Sequence, residues 1–399
     1  MSILAIAGGV PVRRDAFARW PIFDERERIA LAEVLESRSW GGYNSKIKEF
    51  EEAFAAFHQA RFGVSASNGT VTLEAALLAA GIGPGDEVIV PPITFIATAT
   101  AALRVGATPV FADIGADYNI NPKRVEEALS ERTRAIIAVH FGGRPADMDA
   151  ISSLAAKHHL LVVEDAAHAH GASWRGRRVG TLGDIASFSF QQSKNMTAGE
   201  GGMLIGNRSD LIDGARSIFN QGRIPGGAWY QHENLGTNQR LTAWQAAVLL
   251  VQLQRLPEQV ALRAENARYL DERLRELDFI EPLALDPRVT EPSYYLYMVR
   301  LRLDRMPGVS RDLFLKALAA EGIPGIGSYP HPLYENGVFH KYGFHRTDCP
   351  EAVRMCRESF WVSHEILLSE RRDLNDFVSA LVKVYENRSE LCKVPANSR

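Results

Sequence analysis

Cysteine is scarce in this chain of 399 residues. Its three cysteines, Cys349, Cys356 and Cys392, are odd in number, lie late in the sequence and lack the paired Cys-x-x-Cys spacing of a zinc site. This pattern excludes a disulfide-rich secreted scaffold and argues against a cysteine-ligated metal. It favours a reducing compartment, and we expect a cytoplasmic protein.

The chain also lacks a strong excess of either charge and a long apolar run. Its 45 Lys and Arg residues and 48 Asp and Glu residues give a formal net charge of −3. That balance gives no reason to expect nucleic acid or an anionic membrane as a partner, so small molecules are the expected ligands. The opening MSILAIAGGV is too short to span a bilayer and no basic residue precedes it, so we expect neither a secretory leader nor a membrane span.

Alternating apolar runs and helical patterns begin near residue 61 and predict βα units with a mainly parallel sheet. The predicted strands cover residues 62–66, 88–90, 108–112, 135–139 and 160–165. A long helix is predicted from residue 241, continuing past Pro257 towards residue 277. After it, strand-like and helical stretches with an aromatic and proline-rich loop at 327–344 predict a smaller α/β unit. We therefore predict a large domain of residues 1–260 and a small C-terminal domain of residues 261–399.

The stretch DIASFSFQQSKNMTAGEGGM, residues 184–203, contains the strongest candidate for a catalytic residue. Its first half alternates in a period of two, which predicts a short, half-buried strand running up to a turn and ending at Lys194. Glycines follow directly and allow the backbone to turn tightly or to approach a ligand. A lysine in such a place can form a Schiff base with an aldehyde, and pyridoxal phosphate is the obvious aldehyde.

Two further segments lie where predicted strands end. Residues 67–70 (Ser-Asn-Gly-Thr) precede a helix, so their amides and hydroxyls can hold a phosphate; the alternative is an ordinary helix N-cap. Phe95 follows the next strand, on the side where open α/β sheets bind ligands, although a core aromatic would look the same in sequence.

Asp165 ends a continuous apolar run and is placed to pair with a protonated pyridine nitrogen, which improves a pyridoxal ring as an electron sink. His168 and His170 follow it. With no third ligand at metal spacing we predict no metal site; one histidine can hydrogen-bond the cofactor phenol, and the other can be a buried structural residue. Together with Ser189, these residues are expected to share one site.

The motifs EDAAHAHGA, SFSFQQSKNMTAGEGGM and GTNQRLTAWQAA resemble the DegT/DnrJ/StrS family of pyridoxal-phosphate sugar and aminocyclitol aminotransferases, over nearly the whole chain. The resemblance implies an aspartate-aminotransferase-like fold and a homodimer with shared active sites. The roles that it implies are these: Lys194 holds the cofactor, Asp165 binds the pyridine nitrogen, Phe95 covers the ring, Gly69, Thr70 and Ser189 hold the phosphate, and Asn238 reaches the phosphate of the neighbouring subunit.

One departure and one retained residue refine the prediction. Many family members have glutamine where this chain has His168, and a histidine can still donate a hydrogen bond to the cofactor O3′. Dehydratases of the family replace the lysine with histidine, so the presence of Lys194 favours transamination. The segments QQSK, Trp20-Pro21 and SFWVSHEILLS are similar to the branch that forms aminocyclitols and aminohydroxybenzoate in antibiotic pathways.

We therefore predict an aminotransferase that moves an amino group from L-glutamine or L-glutamate to a keto sugar or keto-cyclitol. Arg223, Tyr329, His331 and Tyr334 are candidates for binding substrate by composition alone, and for each of them a structural role is the preferred interpretation. Two alternatives stay open: a dehydratase or ring-aromatising enzyme of the same family, and a non-catalytic regulatory protein that binds the cofactor.

Overall fold

The computed structural model describes residues 3–224, 226–324 and 326–391, so Cys392 lies outside the described residues. Cys349 and Cys356 are buried and are not joined in a disulfide. Among the helices of the described residues, none combines the length and the apolar character needed to cross a bilayer. The same residues contain no group of three or more His, Cys, Asp or Glu side chains arranged to hold a metal ion.

Helices occupy both the predicted positions and some unpredicted ones. In chain order they are α1 Glu25–Ser37, α2 Ser45–Phe57, α3 Gly69–Ala79, α4 Ala97–Arg104, α5 Pro122–Glu127, α6 Met148–His158, α7 Ser209–Phe219, α8 Ala243–Leu274, α9 Arg311–Ala320, α10 Gly337–Tyr342, α11 Pro350–Glu358, α12 Arg371–Glu386 and α13 Arg388–Leu391. Short 3₁₀ helices cover Ala5–Ala7, Phe141–Gly143, Leu303–Arg305, Leu333–Glu335 and His364–Leu368. The stretch 327–344, predicted as a loop, contains α10 and one of these 3₁₀ turns.

The strands are short, as the sequence predicts. They are β1 Phe62–Ala66, β2 Glu87–Val90, β3 Thr108–Phe111, β4 Thr133–Val139, β5 Leu161–Asp165, β6 Ser173–Trp174, β7 Arg177–Arg178, β8 Ile185–Ser189, β9 Gly202–Gly206, β10 Ile280–Pro282, β11 Val289–Glu291, β12 Leu296–Leu301, β13 Ile326–Gly327, β14 His345–Arg346 and β15 Ser359–Ser363.

Eight strands form the large sheet, in the order β1-β9-β8-β5-β4-β2-β3-β14. Only β9 runs against its neighbours, pairing antiparallel with β1 and β8, so the prediction of a large, mainly parallel sheet is confirmed. Because the other strands share one direction, their carboxyl ends meet at one edge, where open α/β sheets bind ligands. A four-stranded antiparallel sheet, β10-β12-β15-β13, forms the core of the C-terminal part.

Strand β8 departs from the prediction in two ways. It is buried at every residue rather than half-buried. On one face the Ser187 hydroxyl lies 2.7 Å from that of Thr72 in α3, and on the other Phe188 packs edge-to-face against Phe54 of α2. Helices therefore cover both faces, and the polar alternation reflects a buried hydroxyl pair instead of solvent. The strand also ends at Ser189, so Lys194 lies in the following turn and not at the strand end.

The long helix α8 connects the two sheets and continues through Pro257, as predicted. Chain contacts nevertheless cross residue 260 in both directions. Leu4 and Phe17 are buried in the core formed mainly by residues from Ala267 onward, and β14 adds an edge strand to the large sheet. The division into 1–260 and 261–399 stays a prediction.

Candidate active site

One cavity, of ≈ 640 Å³, lies where the carboxyl ends of the parallel strands meet. All the predicted site residues except Asn238 line it: Gly69, Thr70, Phe95, Asp165, His168, Ser189 and Lys194. They come from the start of α3 and from the segments that follow β2, β5 and β8. Residues far apart in sequence thus share one concave site, which is the usual form of a cofactor or substrate pocket.

Lys194 is presented by a turn that its own neighbours stabilise. The Gln191 side-chain oxygen accepts hydrogen bonds from the Ser193 N–H and hydroxyl, both at 2.8 Å, and the Lys194 N–H donates to the Gln191 carbonyl at 2.9 Å. The Lys194 Nζ lies 4.5 Å from the centroid of the Tyr295 ring. An aromatic face attracts a cation at this distance, so Tyr295 helps to hold the ammonium in the cavity.

Asp165 ends β5 and is 6% exposed. Its Oδ2 accepts a hydrogen bond of 2.7 Å from the Thr98 hydroxyl, and its Oδ1 accepts one of 3.3 Å from the Ala167 N–H. Burial raises the pKa of the carboxyl, and the hydrogen bonds and the charge of Lys194 offset this only in part. A buried carboxylate with so little compensation favours a cation beside it, and a protonated pyridine nitrogen meets that need.

His168 is fixed in one tautomer. Its Nδ1 accepts a hydrogen bond of 3.3 Å from the Gly142 N–H, so the ring proton of the neutral imidazole lies on Nε2. The ring packs against Tyr295, with centroids 4.3 Å apart. Burial, assisted by the charge of Lys194, lowers the pKa of His168 well below its usual value. The side chain is therefore a neutral hydrogen-bond donor, as a partner for a cofactor phenol should be.

The other histidine of the motif, His170, has a different position. It does not line the cavity and is fully buried, with its ring against those of Phe54, Phe188 and Phe190. The two histidines of the motif therefore face different surroundings, although they are only two residues apart.

The predicted phosphate-binding residues lie where β8 ends and α3 begins. A Cβ on Gly69 would come within 2.7 Å of the Ser189 Cβ, so glycine is required for this close approach. The Asn68 side chain caps α3 by accepting from the N–H groups of Thr70 and Val71, which is the ordinary N-cap that sequence also allowed. The hydroxyls of Thr70 and Ser189 and the helix N-terminus remain as groups suited to an anion.

Phe95 and Asn238 have contrasting positions. Phe95 lines the cavity although 58% of its surface is exposed, which leaves its ring available to a ligand. Asn238 is exposed, lies outside this cavity and forms an isolated antiparallel bridge with Asn220.

Of the candidates chosen by composition, only Tyr329 lines the cavity. Tyr334 is buried in the core against Phe111, and the Arg223 side chain bonds to Tyr43 and Gln221 in the exposed loop. His331 contacts the carbonyl of the adjacent proline.

The cavity-lining side chains that sequence reasoning missed include Thr98, Tyr295 and Trp361. Thr98 lies in the first turn of α4, three residues after Phe95. Tyr295 directly precedes β12 and Trp361 lies within β15, so both come from the C-terminal part of the chain. The Tyr294-Tyr295 pair, within the predicted strand-like stretch 293–303, was the one local signal for them.

Comparisons with known proteins identify the family of this chain. The DegT/DnrJ/EryC1/StrS aminotransferase family matches residues 21–381. A Micromonospora echinospora protein provisionally named as an L-glutamine:3-amino-2,3-dideoxy-scyllo-inosose aminotransferase is 40% identical, over 98% of this chain and 99% of the relative. The L-glutamine:2-deoxy-scyllo-inosose aminotransferase of the same organism is 36% identical, over 98% of this chain and 100% of the relative.

A solved structure shows the same fold. The crystal structure of 3-amino-5-hydroxybenzoic acid synthase superposes with a TM-score of 0.88 at 35% identity and covers 94% of this chain and 100% of that one. With the family match over nearly the whole chain, this chain belongs to the DegT/DnrJ/EryC1/StrS aminotransferase family and is a pyridoxal-phosphate-dependent aminotransferase.

Proposed function

We propose that this enzyme transfers the amino group of L-glutamine to the ketone carbon of a cyclitol, in the formation of an aminoglycoside antibiotic. The observation that carries the proposal is the agreement between the cavity and the relatives named for L-glutamine and inososes, which match this chain over nearly their full length. L-glutamate is the alternative donor.

The cavity residues fit the cofactor. Pyridoxal phosphate, when bound, supplies an aldehyde carbon and an electron sink for the pair left by the donor's α-proton. Asp165 would hold the ring nitrogen and His168 Nε2–H would donate to the phenolic oxygen. Gly69, Thr70 and the Ser189 hydroxyl would hold the phosphate. Phe95 would cover the ring.

Lys194 has two roles in this proposal. Its amine would hold the cofactor between turnovers. When free, the same amine would take the proton from the donor's α-carbon and deliver it two bonds away, to the carbon that the cofactor's aldehyde supplies. Both roles need Nζ within reach of the ring, and the turn at residues 191–194 with the Tyr295 face holds it in the cavity. The reaction therefore runs in two halves with ping-pong kinetics.

The charge of the cavity favours a free cyclitol over a nucleotide-linked sugar. Among the described residues that line it, Lys194 is the only lysine or arginine. A nucleotide diphosphate is usually bound by guanidinium or ammonium groups, and this cavity provides none beyond the catalytic lysine. Its other lining includes Gln191, Glu200 and Ser193, which suit the hydroxyls of a neutral ring.

The first experiment follows the visible absorption of the purified enzyme with bound cofactor. Addition of L-glutamine should bleach the band as the amino group is transferred, with release of the keto acid. A regulatory protein that only binds the cofactor would keep the band unchanged.

The second experiment identifies the acceptor. The aminated enzyme is freed of donor and then offered keto-cyclitols and nucleotide-linked keto sugars in separate reactions. Only a true acceptor restores the original band, and the proposal expects this from an inosose. Restoration by nucleotide-linked sugars alone would contradict the cyclitol assignment while leaving the aminotransferase activity intact.

The similarity to 3-amino-5-hydroxybenzoic acid synthase supports a second candidate function. In it, the enzyme removes water from its substrate and converts the substrate's ring to an aromatic one. Lys194 would then serve as the base for ring protons. Formation of an aromatic product, detected by its ultraviolet absorption after incubation with a keto-cyclitol acid, distinguishes this candidate from simple transamination.

We also propose a homodimer in which Asn238 reaches the phosphate site of the neighbouring subunit. Asn238 lies outside the cavity of its own chain. The loop before it exposes large apolar side chains, with Trp229 80%, Tyr230 77% and Leu235 96% exposed, and a second copy of the chain would cover them.

A cytoplasmic location is also proposed, because the thiols of Cys349 and Cys356 are not paired in a disulfide.

A further inference from the structure

Side chains from distant parts of the chain hold the two backbone carbonyls that precede Lys194. The Trp20 Nε1–H donates to the Gln192 carbonyl at 3.0 Å, and His364 Nε2 lies 3.0 Å from the Ser193 carbonyl. Gln192 and Ser193 are themselves exposed. The turn that presents Lys194 is therefore hydrogen-bonded by one residue near the start of the chain and one near its end.

The contacts of His364 leave it only one protonation state. A carbonyl oxygen can only accept, so the Nε2 that faces Ser193 must carry a proton. On the other side of the ring, Arg263 Nη2 lies 3.0 Å from Nδ1, and a guanidinium can only donate. Nδ1 must therefore offer a lone pair. His364 is thus neutral, in the Nε2–H tautomer, and burial lowers its pKa well below the usual value in agreement with this geometry.

Arg263 is unusual in its surroundings. It is 0% exposed, and its Nε and Nη1 have no hydrogen-bond partner among the described residues. Within the described part of the chain it forms no ion pair, although the carboxylate of Glu365 is near enough to act on it, and His170 and His364 are close on its other sides. A buried guanidinium without an ion pair costs stability, so packing alone does not account for it.

The Arg263 guanidinium also lies beside Trp20, the other residue that binds the turn. The Trp20 ring packs edge-to-face on His364 with centroids 4.6 Å apart, and the Arg263 Cζ lies 5.6 Å from the Trp20 centroid. Arg263 therefore touches both rings whose N–H groups bind the carbonyls before Lys194.

We propose that Arg263 is a positioning residue: it fixes the tautomer of His364, and His364 with Trp20 fixes the turn that presents Lys194. The inference rests on the proposed role of Lys194 as the cofactor lysine. Loss of Arg263 frees the His364 ring to rotate or to change tautomer, and the Nε2–H bond to Ser193 is then no longer enforced.

The test compares variants at three positions. Arg263→Met removes the donor and the charge at similar length, and Arg263→Lys keeps the charge and one donor. His364→Gln keeps an N–H near the Nε2 position, whereas His364→Phe removes both ring nitrogens. Asn266→Ala is the matched control: Asn266 lies one turn further along α8 and holds the carbonyls of Leu367 and Ser369, without touching His364.

The first readout is amide hydrogen exchange of residues 191–195 in the cofactor-free protein. Arg263→Met and His364→Phe should accelerate exchange there about tenfold, the factor expected from one lost buried hydrogen bond. Arg263→Lys and His364→Gln should lie between these and the parent, and Asn266→Ala should stay within about twofold of the parent.

The second readout uses the enzyme with bound cofactor. Arg263→Met should lower kcat about tenfold with little change in the KM for L-glutamine, because the lysine is misplaced while the donor site is intact. Unchanged exchange in Arg263→Met, or equal acceleration in Asn266→Ala, would overturn the inference. Failure of the proposed function would be recognised separately. The parent enzyme would then respond to no amino donor, while hydrogen exchange would still report whether Arg263 fixes the turn.

Discussion

The Thr98 hydroxyl donates a hydrogen bond of 2.7 Å to Oδ2 of Asp165, and within the described residues the only other hydrogen bond to this carboxylate is a long one, of 3.3 Å, from the Ala167 N–H. The carboxylate is thus buried at the end of a central strand with less compensation than a buried charge normally has. Such a group lowers stability in the cofactor-free chain and gains its full partner only when a cation binds. If Asp165 binds the pyridine nitrogen as predicted, its function and the stability of the cofactor-free chain are opposed.

We predict that Asp165→Asn removes most of the activity. Loss of the negative charge leaves the pyridine nitrogen unprotonated, which weakens the electron sink. A loss of ~3 kcal/mol in transition-state stabilisation corresponds to a rate reduced roughly a hundredfold. Single-turnover rates with L-glutamine measure the effect, and Thr98→Val, which keeps the charge, should lose far less. A rate within threefold of the parent would show that the role is misassigned.

The same substitution should stabilise the cofactor-free protein at neutral pH. Burial raises the pKa of Asp165 above 3.8, so between that value and the raised one the folded chain binds more protons than the unfolded chain. Stability therefore falls as pH rises through this window. The Asp165→Asn variant lacks this loss and should unfold at higher urea concentration than the parent at pH 7. The difference should shrink as pH is lowered and be smallest well below pH 3.8, where the carboxyl is protonated in both states.

Lys194→Ala should abolish the visible band of the lysine-bound cofactor and turnover together while leaving the fold intact. The Nζ approaches the Tyr295 ring and the side chain lines a cavity, so its loss removes no core packing. Absorption, turnover and circular dichroism together check this, with Lys48→Ala, at an exposed lysine of α2, as the control. Turnover by Lys194→Ala without added amines would contradict the assignment.

A buried histidine outside the site should make the protein sensitive to acid. His58 is fully buried, its Nδ1 donates to the Val179 carbonyl at 2.7 Å, and burial lowers its pKa to about 4 from 6.5. Between these values the unfolded chain binds a proton that the folded chain does not, so stability falls as pH is lowered from 6.5 to about 4. The loss from this residue amounts to about 3 kcal/mol across the window.

His58→Asn tests this directly, because its amide can still donate to Val179 but does not titrate. We expect the slope of the unfolding free energy between pH 6 and 5 to decrease by up to ~1.4 kcal/mol per pH unit, the value for one proton. Urea titrations across this pH range measure it. An unchanged slope would mean that His58 is already protonated in the folded chain.

The sequence predicted the sheet better than the turn that carries the lysine. Strands such as β5 read clearly because a continuous apolar run ending in Asp165 has few alternatives. The burial of β8 was misjudged because Ser187 looks solvent-facing in sequence, and only its hydroxyl contact with Thr72 of α3 explains its burial. Whether a polar residue in a strand is buried depends on the surface that packs against the strand, and a single sequence does not show that surface.

Of the C-terminal residues that line the site, only Tyr329 was among the predicted candidates, and it was chosen by composition alone. Tyr295 and Trp361 line the cavity, but each lies in or beside an ordinary antiparallel strand whose local pattern signals only core packing. The same holds for Arg263, which reads in sequence as a solvated charge on a long helix and is fully buried in the fold. Such long-range contacts depend on how the two sheets pack, and no local pattern encodes them.

The last prediction concerns the assembly of the homodimer. If each site borrows Asn238 from the other chain, Asn238→Asp places a carboxylate against the cofactor phosphate and should inactivate every site of its own homodimer. Lys194→Ala inactivates every site as well. In a mixed dimer of the two variants, one site carries both substitutions and the other carries neither.

Equal amounts of the two inactive proteins, allowed to exchange subunits, should therefore recover about a quarter of the parent's active sites, because random pairing makes half of the dimers mixed and one site in each is intact. The recovered sites are counted by the fraction of cofactor absorption that L-glutamine bleaches. Subunit exchange is verified separately with chains that carry different affinity tags. If Asn238 acted within its own chain, every site in a mixed dimer would keep one substitution, so verified exchange without recovered activity would exclude the shared site.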